Sequence, residues 1–227
     1  MRIANNVEML EITGMEGGTL YPVLAWDDQE VVLFDTGLPG QLELIRAAVE
    51  KAGFSLHQIT KILLTHHDMD HLGNAKPLRE LGAKIVAHEK EVPYVQGDAI
   101  SPKITEREKH LNELSAEERA MYERIKSYSA NIQLPVDEVL HDGEVLPCCG
   151  GIQVVFTPGH TPGHAAFFLK ESKVLITGDA ANIADSNLIG PNPRHTLDMA
   201  KAEASFEKLQ RMDADFVVCY HGGVVRK

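Results

Sequence analysis

The sequence predicts a layered α/β fold in one domain, residues 1–227. Three observations predict it. Short apolar runs with the character of strands alternate with stretches of helical periodicity. No Pro/Ser-rich linker divides the pattern, and the length is sufficient to bury a substantial core. Polar side chains capable of binding metal follow directly after several of the apolar runs.

The sequence up to residue 87 predicts strands that alternate with helices. Residues 7–13 alternate as a strand does, and residues 20–26 and 30–34 predict a hairpin. Pro39 then opens a stretch with apolar residues at helical spacing, which Gly53 ends. The next apolar residues, 62–64, predict a short buried strand. A helix over residues 74–81 and a strand over residues 84–87 continue the alternation.

The stretch from about residue 92 to 134 breaks this rhythm. It opens with Pro93, Gly97 and Pro102 and becomes a charged helical segment over residues 105–128. Ser115 begins a capping-box sequence within it. We interpret the stretch as a helical insertion on the active-site side. The pattern leaves open whether it forms a lid or pocket wall, a solvated excursion or a dimer contact.

The second half repeats the strand-rich pattern. Residues 152–156 predict a strand, and residues 165–169 are expected to pair with residues 174–176. Thr196 is the expected cap of a helix that ends near Arg211. Residues 216–220 predict the last strand.

The sequence KILLTHHDMDHLG, residues 61–73, concentrates metal-binding residue types behind a short strand. Side chains two apart at a strand end point the same way, so His66 and Asp68 can converge while His67 points elsewhere. Asp70 and His71 follow as the chain turns into a helix and can face a second point. Gly73 allows a close approach of the backbone. Histidine with carboxylate at this density indicates a site for divalent metals.

This segment resembles the H-x-H-x-D-H signature of the metallo-β-lactamase superfamily, with Asp68 in place of the second histidine. Further motifs of that family follow in its order: TPGHTPGH at 157–164, TGDA at 177–180 and CYHGG at 219–223. VVLFDTG at 31–37 resembles the family's early strand and turn. The resemblance implies a four-layered αβ/βα sandwich that carries the insertion at about 92–134.

The resemblance also implies a binuclear metal site with seven ligands. These are His66, Asp68 and His160 for the first metal, Asp70, His71 and His221 for the second, and Asp179 as the bridge. Asp35, His67 and His164 are candidates for orienting these ligands through hydrogen bonds. Two divalent ions are expected, with zinc in first place. Iron or manganese is the alternative, because Asp68 adds negative charge to the site.

These features predict a hydrolase of the lactonase or glyoxalase II type that acts on a small molecule. A hydroxide bridging the metals would cleave an ester, lactone or thioester bond, with Asp70 moving the proton. The pocket candidates are Asn182, where the resembled lactonases have tyrosine, and Tyr94, Tyr122 and Tyr128. Two alternatives stay open: a diiron oxidoreductase with a separate electron donor, suggested by the carboxylate at position 68, and a non-catalytic metal-binding module.

Composition excludes several classes of partner. The net charge is −11 with a pI near 5.4, so the chain lacks the basic stripe expected of a nucleic-acid binder. We expect no membrane segment, since no apolar run approaches spanning length, and a cytoplasmic location. Cys148, Cys149 and Cys219 do not form a disulfide framework. A homodimer remains open.

Overall fold

The computed structural model describes residues 1–227, with Glu16 described by its backbone alone. Its strands, in chain order, are β1 (Arg2–Ala4), β2 (Val7–Met9), β3 (Ile12–Thr13), β4 (Thr19–Leu20), β5 (Val23–Trp26), β6 (Val31–Phe34), β7 (Lys61–Leu64), β8 (Lys84–His88), β9 (Glu138–Leu140), β10 (Val145–Leu146), β11 (Ile152–Phe156), β12 (Ala165–Leu169), β13 (Val174–Ile176), β14 (Asn182–Ala184), β15 (Asn187–Ile189), β16 (Phe216–Cys219) and β17 (Gly223–Arg226). The α-helices are α1 (Leu42–Lys51), α2 (Met69–Leu72), α3 (Ala75–Glu80), α4 (Val92–Gln96), α5 (Pro102–Glu108), α6 (Ala116–Asn131) and α7 (Met199–Gln210).

Two large sheets organise these elements. The first has the strand order β1-β2-β5-β6-β7-β8-β9, and the second has the order β10-β11-β12-β13-β16-β17. Strands β6, β7, β8 and β9 are mutually parallel, as are β13 and β16. The carboxyl ends of parallel strands open onto the same edge of a sheet, which is where loops can assemble a site.

Alternation along single strands shows that each sheet is covered on both faces. In β7, Leu63 lies in the core between the sheets, whereas Ile62 and Leu64 lie in the core beneath helices α1 and α3. In β13, Val174 and Ile176 face the other sheet, and Leu175 packs in the core that contains residues of α7. Continuous apolar runs are required because both faces of these strands are buried. The predicted four-layered sandwich is therefore confirmed.

An aromatic contact joins the two sheets across the inner core. The rings of Phe34 in β6 and Phe167 in β12 lie 5.4 Å apart between centroids, at an interplanar angle of 55°. Both side chains are almost completely buried. This tilted geometry is favourable for aromatic pairs.

The helical insertion occupies the predicted stretch between β8 and β9. It comprises α4, α5, a 3₁₀ turn (Leu111–Glu113) and α6. Ser115 caps α6 as expected: its side chain accepts from the Glu118 backbone N–H, and the Glu118 carboxylate accepts from the Ser115 N–H. Val95 and Ile132 fix the two ends of the insertion in the outer core of the first sheet.

One local prediction in the second half needs correction, and one hairpin was not predicted. Thr196 does not cap α7, because its hydroxyl donates to the Asn192 carbonyl at 2.8 Å. Asp198 is the cap instead, accepting from the Lys201 N–H at 3.1 Å. The chain between β13 and α7 also forms the small hairpin β14–β15, which its mixed polar sequence did not indicate. Among the described residues, no helix is both long and apolar enough to cross a bilayer.

Gly73 lies where two backbone segments meet, as the sequence predicts. A Cβ at this position would come within 2.4 Å of the Gly37 carbonyl oxygen and of the Pro39 nitrogen. Neither of these atoms belongs to a side chain that can rotate away. The close approach brings the turn after β6 against the metal-binding motif.

Replacing Gly73 by alanine should therefore lower the free energy of unfolding by roughly 2 kcal/mol or more, as overpacked sites do. Gly190→Ala is the control, because its Cβ would meet nothing closer than 3.6 Å. Denaturant titration measures both. Equal stability of the two variants would contradict the proposed backbone contact.

Candidate metal centre

The candidate ligands collect at the edge where strands of both sheets end. His66, Asp68, Asp70 and His71 follow β7 in the first sheet, and Asp35 follows the adjacent β6. The second sheet contributes His160 after β11, Asp179 after β13 and His221 after β16. Residues far apart in the chain thus share one small volume.

The first group comprises His66, Asp68 and His160. The Asp68 Oδ2 atom lies 3.3 Å from His66 Nε2 and 3.2 Å from His160 Nε2. The two histidines are buried, and Asp68 is partly exposed towards a cavity. Their ligand atoms all lie within 4.8 Å of one another.

The second group comprises Asp70, His71 and His221. The Asp70 Oδ2 atom lies 3.3 Å from His221 Nε2 and 3.8 Å from His71 Nε2. His71 is fully buried, whereas a third of the His221 side chain is exposed (35%). This group therefore borders the cavity on the side of His221.

Asp179 lies between the two groups. Its Oδ2 atom faces His160 Nε2 at 3.4 Å, and its Oδ1 atom faces His71 Nε2 at 3.4 Å and His221 Nε2 at 3.3 Å. One carboxylate thus presents one oxygen to each group. This is the arrangement that a bridging ligand requires.

The donor atoms suit divalent cations. His66 Nε2, His71 Nε2 and Asp179 Oδ1 are buried and have no hydrogen-bond partner among the described residues. Buried polar atoms without partners are costly and rare, so they indicate an absent ligand. Two ligands at about 2.0–2.1 Å from a tetrahedral ion lie about 3.3–3.4 Å apart. Most donor–donor distances in the cluster match that separation.

Asp35 fixes the orientation of the ligands from behind. It is fully buried, and its oxygens accept from the Thr65 N–H at 2.9 Å, from the Thr65 hydroxyl at 2.8 Å and from His71 Nδ1 at 2.8 Å. Because Thr65 donates its single hydroxyl proton to Asp35, its oxygen accepts from His66 Nδ1 at 3.0 Å. Both imidazoles thereby present Nε2, and not Nδ1, to the cluster.

His164 lies behind Asp179 and holds its backbone. Its Nε2 atom accepts from the Asp179 backbone N–H at 3.1 Å, and its Nδ1 atom lies 2.8 Å from the Thr157 hydroxyl. Both ring nitrogens are therefore occupied. The chain reaches this contact through Gly178, which has a φ of +52° and would clash with the His164 ring if it had a Cβ.

His67 points away from the cluster, as expected from its position in the strand end. Its Nδ1 atom lies 2.5 Å from the buried carboxylate of Glu91, and its Nε2 atom lies 2.8 Å from the Ser101 hydroxyl. The other Glu91 oxygen accepts from the Thr161 hydroxyl and from the Gly163 N–H. His67 thus links the metal-binding loop, which joins β7 to α2, to the start of α5.

Three contacts of the site were not anticipated from the sequence. The Lys103 ammonium group on α5 contacts Asp68 Oδ2 and lies 2.8 Å from His160 Nε2. The Tyr220 hydroxyl donates to the Asp70 carbonyl at 2.6 Å, and its ring packs against His71 with centroids 3.9 Å apart. Glu91 is the third. Of these three residues, only Tyr220 could have been noticed in the sequence, because it lies within the CYHGG motif.

A cavity of about 860 Å³ opens over the metal ligands. The insertion supplies one wall, with Tyr122 and Ile125 of α6 among its lining residues, and Asn182 lies on another side. The prediction that Tyr94 and Tyr128 line the pocket is wrong for the described cavity. Tyr94 packs against the His67 ring at 4.8 Å, and Tyr128 faces solvent at 49% exposure. The position of the insertion favours its interpretation as a pocket wall.

Burial and neighbouring charges shift the pKa values of the candidate ligands. Burial and the nearby His71 hold the pKa of His66 well below its usual value, so this imidazole is neutral. Burial raises the pKa of the Asp179 carboxyl, but His71, His160 and His221 lower it further, to well below its usual range. For Asp68 the main group opposing burial is Lys103, and the pKa is again well below the ordinary value.

Comparison with known proteins agrees with this geometry. The sequence profile of the metallo-beta-lactamase superfamily matches residues 20–221. The chain belongs to this superfamily. It is similar to a metallo-beta-lactamase family protein from Thermus thermophilus, with a TM-score of 0.73 and 25% identity over 98% of this chain and 75% of the other.

Two curated relatives identify the broad chemistry of this superfamily member. The "Probable metallo-hydrolase YflN" of Bacillus subtilis is 30% identical over 84% of this chain and 75% of its own length. The "Hydroxyacylglutathione hydrolase GloC" of Haemophilus influenzae is 29% identical over 77% and 71%. The chain is thus a member of a family of metal-dependent hydrolases.

Metal binding should release a proton from His71. Burial lowers the pKa of this imidazole, but the carboxylates of Asp35, Asp70 and Asp179 raise it well above the ordinary 6.5. At neutral pH the metal-free ring is therefore protonated, and the proton must leave before Nε2 can bind an ion. Affinity for zinc should therefore rise with pH throughout the range below the raised pKa of His71 and become independent of this group above it.

Isothermal titration of zinc into metal-free protein in two buffers of different ionisation enthalpy measures this release. About one proton or more per protein is expected near pH 7. A heat that is independent of the buffer would contradict the protonated state of His71.

Proposed function

We propose that the protein is a binuclear metallohydrolase that cleaves an ester, lactone or thioester bond in a small molecule. The observation that carries the proposal is the placement of Asp179 between two three-residue groups, with one carboxylate oxygen facing each. Membership of a metallohydrolase family supports the reaction class. The similarity to a hydroxyacylglutathione hydrolase supports a thioester as one candidate substrate.

Seven residues would hold the two ions. The first ion would be bound by His66, Asp68 and His160, the second by Asp70, His71 and His221, and Asp179 would be shared. When bound, such a pair supplies an ionised water as nucleophile and a Lewis acid for the carbonyl oxygen.

Asp70 would transfer the proton. Its side chain is 21% exposed and lines the cavity, whereas the main chain of the same residue is fixed by the Tyr220 hydroxyl at 2.6 Å. A carboxylate held at its backbone but open to the cavity can accept a proton and return it to the leaving group.

Zinc is our proposed metal, and the Lys103 contact is the reason. Asp68 adds a negative charge where the family signature has a neutral histidine, but the Lys103 ammonium group brings a positive charge beside it. This group contacts Asp68 Oδ2 and His160 Nε2, so an ion bound by these atoms would displace it from them while its charge stays next to the site. The pair has no net charge, so the site keeps the charge that a histidine would give it. This weakens the case for a diiron oxidoreductase, which depends on the carboxylate at position 68.

Asp179→Ala should remove metal and activity together. Metal content is measured by inductively coupled plasma mass spectrometry on protein purified without chelator. Turnover is measured on panels of lactones, thioesters and phosphodiesters. We expect about two zinc ions per wild-type chain, and a loss of roughly 100-fold or more in kcat/KM in the variant. Asp213→Ala is the control, since this carboxylate is exposed on the surface. Retained turnover in Asp179→Ala, or iron with no hydrolysis in the wild type, would refute the proposal.

A double-mutant cycle tests the compensation of Asp68 by Lys103. Asp68→His alone leaves an uncompensated ammonium group beside the first metal group, so zinc affinity should fall by roughly tenfold or more. Adding Lys103→Met should restore much of the loss. Calorimetric zinc titrations of the four proteins give the coupling. Additive effects of the two changes would show that the residues act independently.

A further inference from the structure

Cationic side chains line the cavity around the metal ligands, although the whole chain carries a net charge of −11. Lys103 and Arg107 lie four residues apart on α5, and side chains at this spacing share one face of a helix. Arg194 enters from a different element, the 3₁₀ turn Pro193–His195 between β15 and α7. Cations from two separate segments of the chain thus border the same space.

Lys103 is paired with Asp68, but the two arginines are not neutralised by nearby carboxylates. Among the described side chains, neither Arg107 nor Arg194 has a carboxylate oxygen within 4.0 Å. The one carboxylate that lines the cavity outside the metal ligands is Glu106, and its Oε2 atom lies 2.5 Å from the Lys109 ammonium group. The two guanidinium groups are therefore free to bind an anion.

Hydrogen bonds hold the backbone at both places from which these cations extend. Ser101, directly before α5, is tied to His67 at 2.8 Å, and His67 is tied to the buried Glu91. On the other side, the Arg194 backbone N–H donates to Asn192 Oδ1 at 3.0 Å, and the Thr196 hydroxyl donates to the Asn192 carbonyl. Local hydrogen bonds thus fix the backbone from which each cation extends.

The rest of the cavity wall is largely apolar. Ile104, Leu114 and Ile125 come from the insertion, and Leu20 and Leu197 come from outside it. A molecule that fills the space would therefore combine an apolar chain with a charged group. Guanidinium groups bind carboxylate and phosphate oxygens through paired hydrogen bonds.

We propose that the substrate carries an oxyanion group, a carboxylate or a phosphate, and that Arg107 and Arg194 bind it while the scissile carbonyl lies at the metal ligands. The placement of the scissile carbonyl at the metal ligands rests on the proposed hydrolase function. The anion site is inferred from the cavity alone. The two unpaired guanidinium groups attract an anion to their part of the cavity.

A set of matched esters tests the specificity. The zinc-loaded enzyme is assayed with 4-nitrophenyl pentanoate, with the 4-nitrophenyl monoester of glutaric acid, and with the corresponding ester that ends in a phosphonate. These substrates share the leaving group and have comparable chain lengths. We expect kcat/KM to be about tenfold to hundredfold higher for a charged ester, through a lower KM. Preference for either oxyanion supports the proposal and identifies the chemistry of the group.

Arginine variants locate the effect. Arg194→Gln and Arg107→Gln should each remove most of the preference for the charged ester and leave kcat/KM for the neutral ester nearly unchanged. Arg211→Gln is the matched control, because this exposed arginine pairs with Glu207 on α7 and does not line the cavity. Equal kcat/KM for charged and neutral esters in the wild type, or a preference that survives both cavity variants, would overturn the proposal.

A binding measurement separates the anion site from hydrolysis. N-acetyl-γ-aminobutyrate and its uncharged N-methylamide are titrated calorimetrically into the wild type, Arg194→Gln and Arg211→Gln. Tighter binding of the carboxylate that is lost only in Arg194→Gln supports the anion site even if no ester is cleaved, in which case the hydrolase proposal fails alone. Equal binding of the two compounds refutes the anion site even if esters are hydrolysed.

Discussion

The buried carboxylate of Asp35 is the group on which the site depends. It lies at the end of β6 in the left-handed region, with a φ of 59°, and its hydrogen bonds to Thr65 hold it against the end of β7. A non-glycine residue in this conformation is maintained only where its surroundings compensate the strain. The same carboxylate orients His71 directly and His66 through Thr65. One residue therefore joins two strands and sets the tautomers of two candidate ligands.

The insertion and the metal-binding loop form a single electrostatic unit. Asp68 departs from the family signature, and its carboxylate contacts the ammonium group of Lys103, which belongs to the insertion. His67, in the same loop, meets Glu91 and Ser101 on either side of α4. A change in the motif is thus matched by a residue 35 positions further along the chain.

Much of the fold could be predicted from the sequence because short buried strands and glycine-bounded turns are local signals. The candidate ligands could be named because each follows an apolar run within a recognisable motif. Lys103 and Glu91 could not be found in this way, because their roles depend on how the insertion folds back over the sheets. The error at Thr196 had a similar origin, since its hydroxyl bonds to Asn192 and leaves the cap to Asp198.

The candidate ligands come from both halves of the chain, and this has a consequence for stability. An ion held by His66 and His160, or by His71 and His221, would close a very long loop of chain and join the two sheets at their shared edge. Such an ion acts as a cross-link, in the way that a disulfide does, and its binding free energy adds to the free energy of folding. The amount of folded protein in the cell would then follow the supply of metal as well as the rate of synthesis.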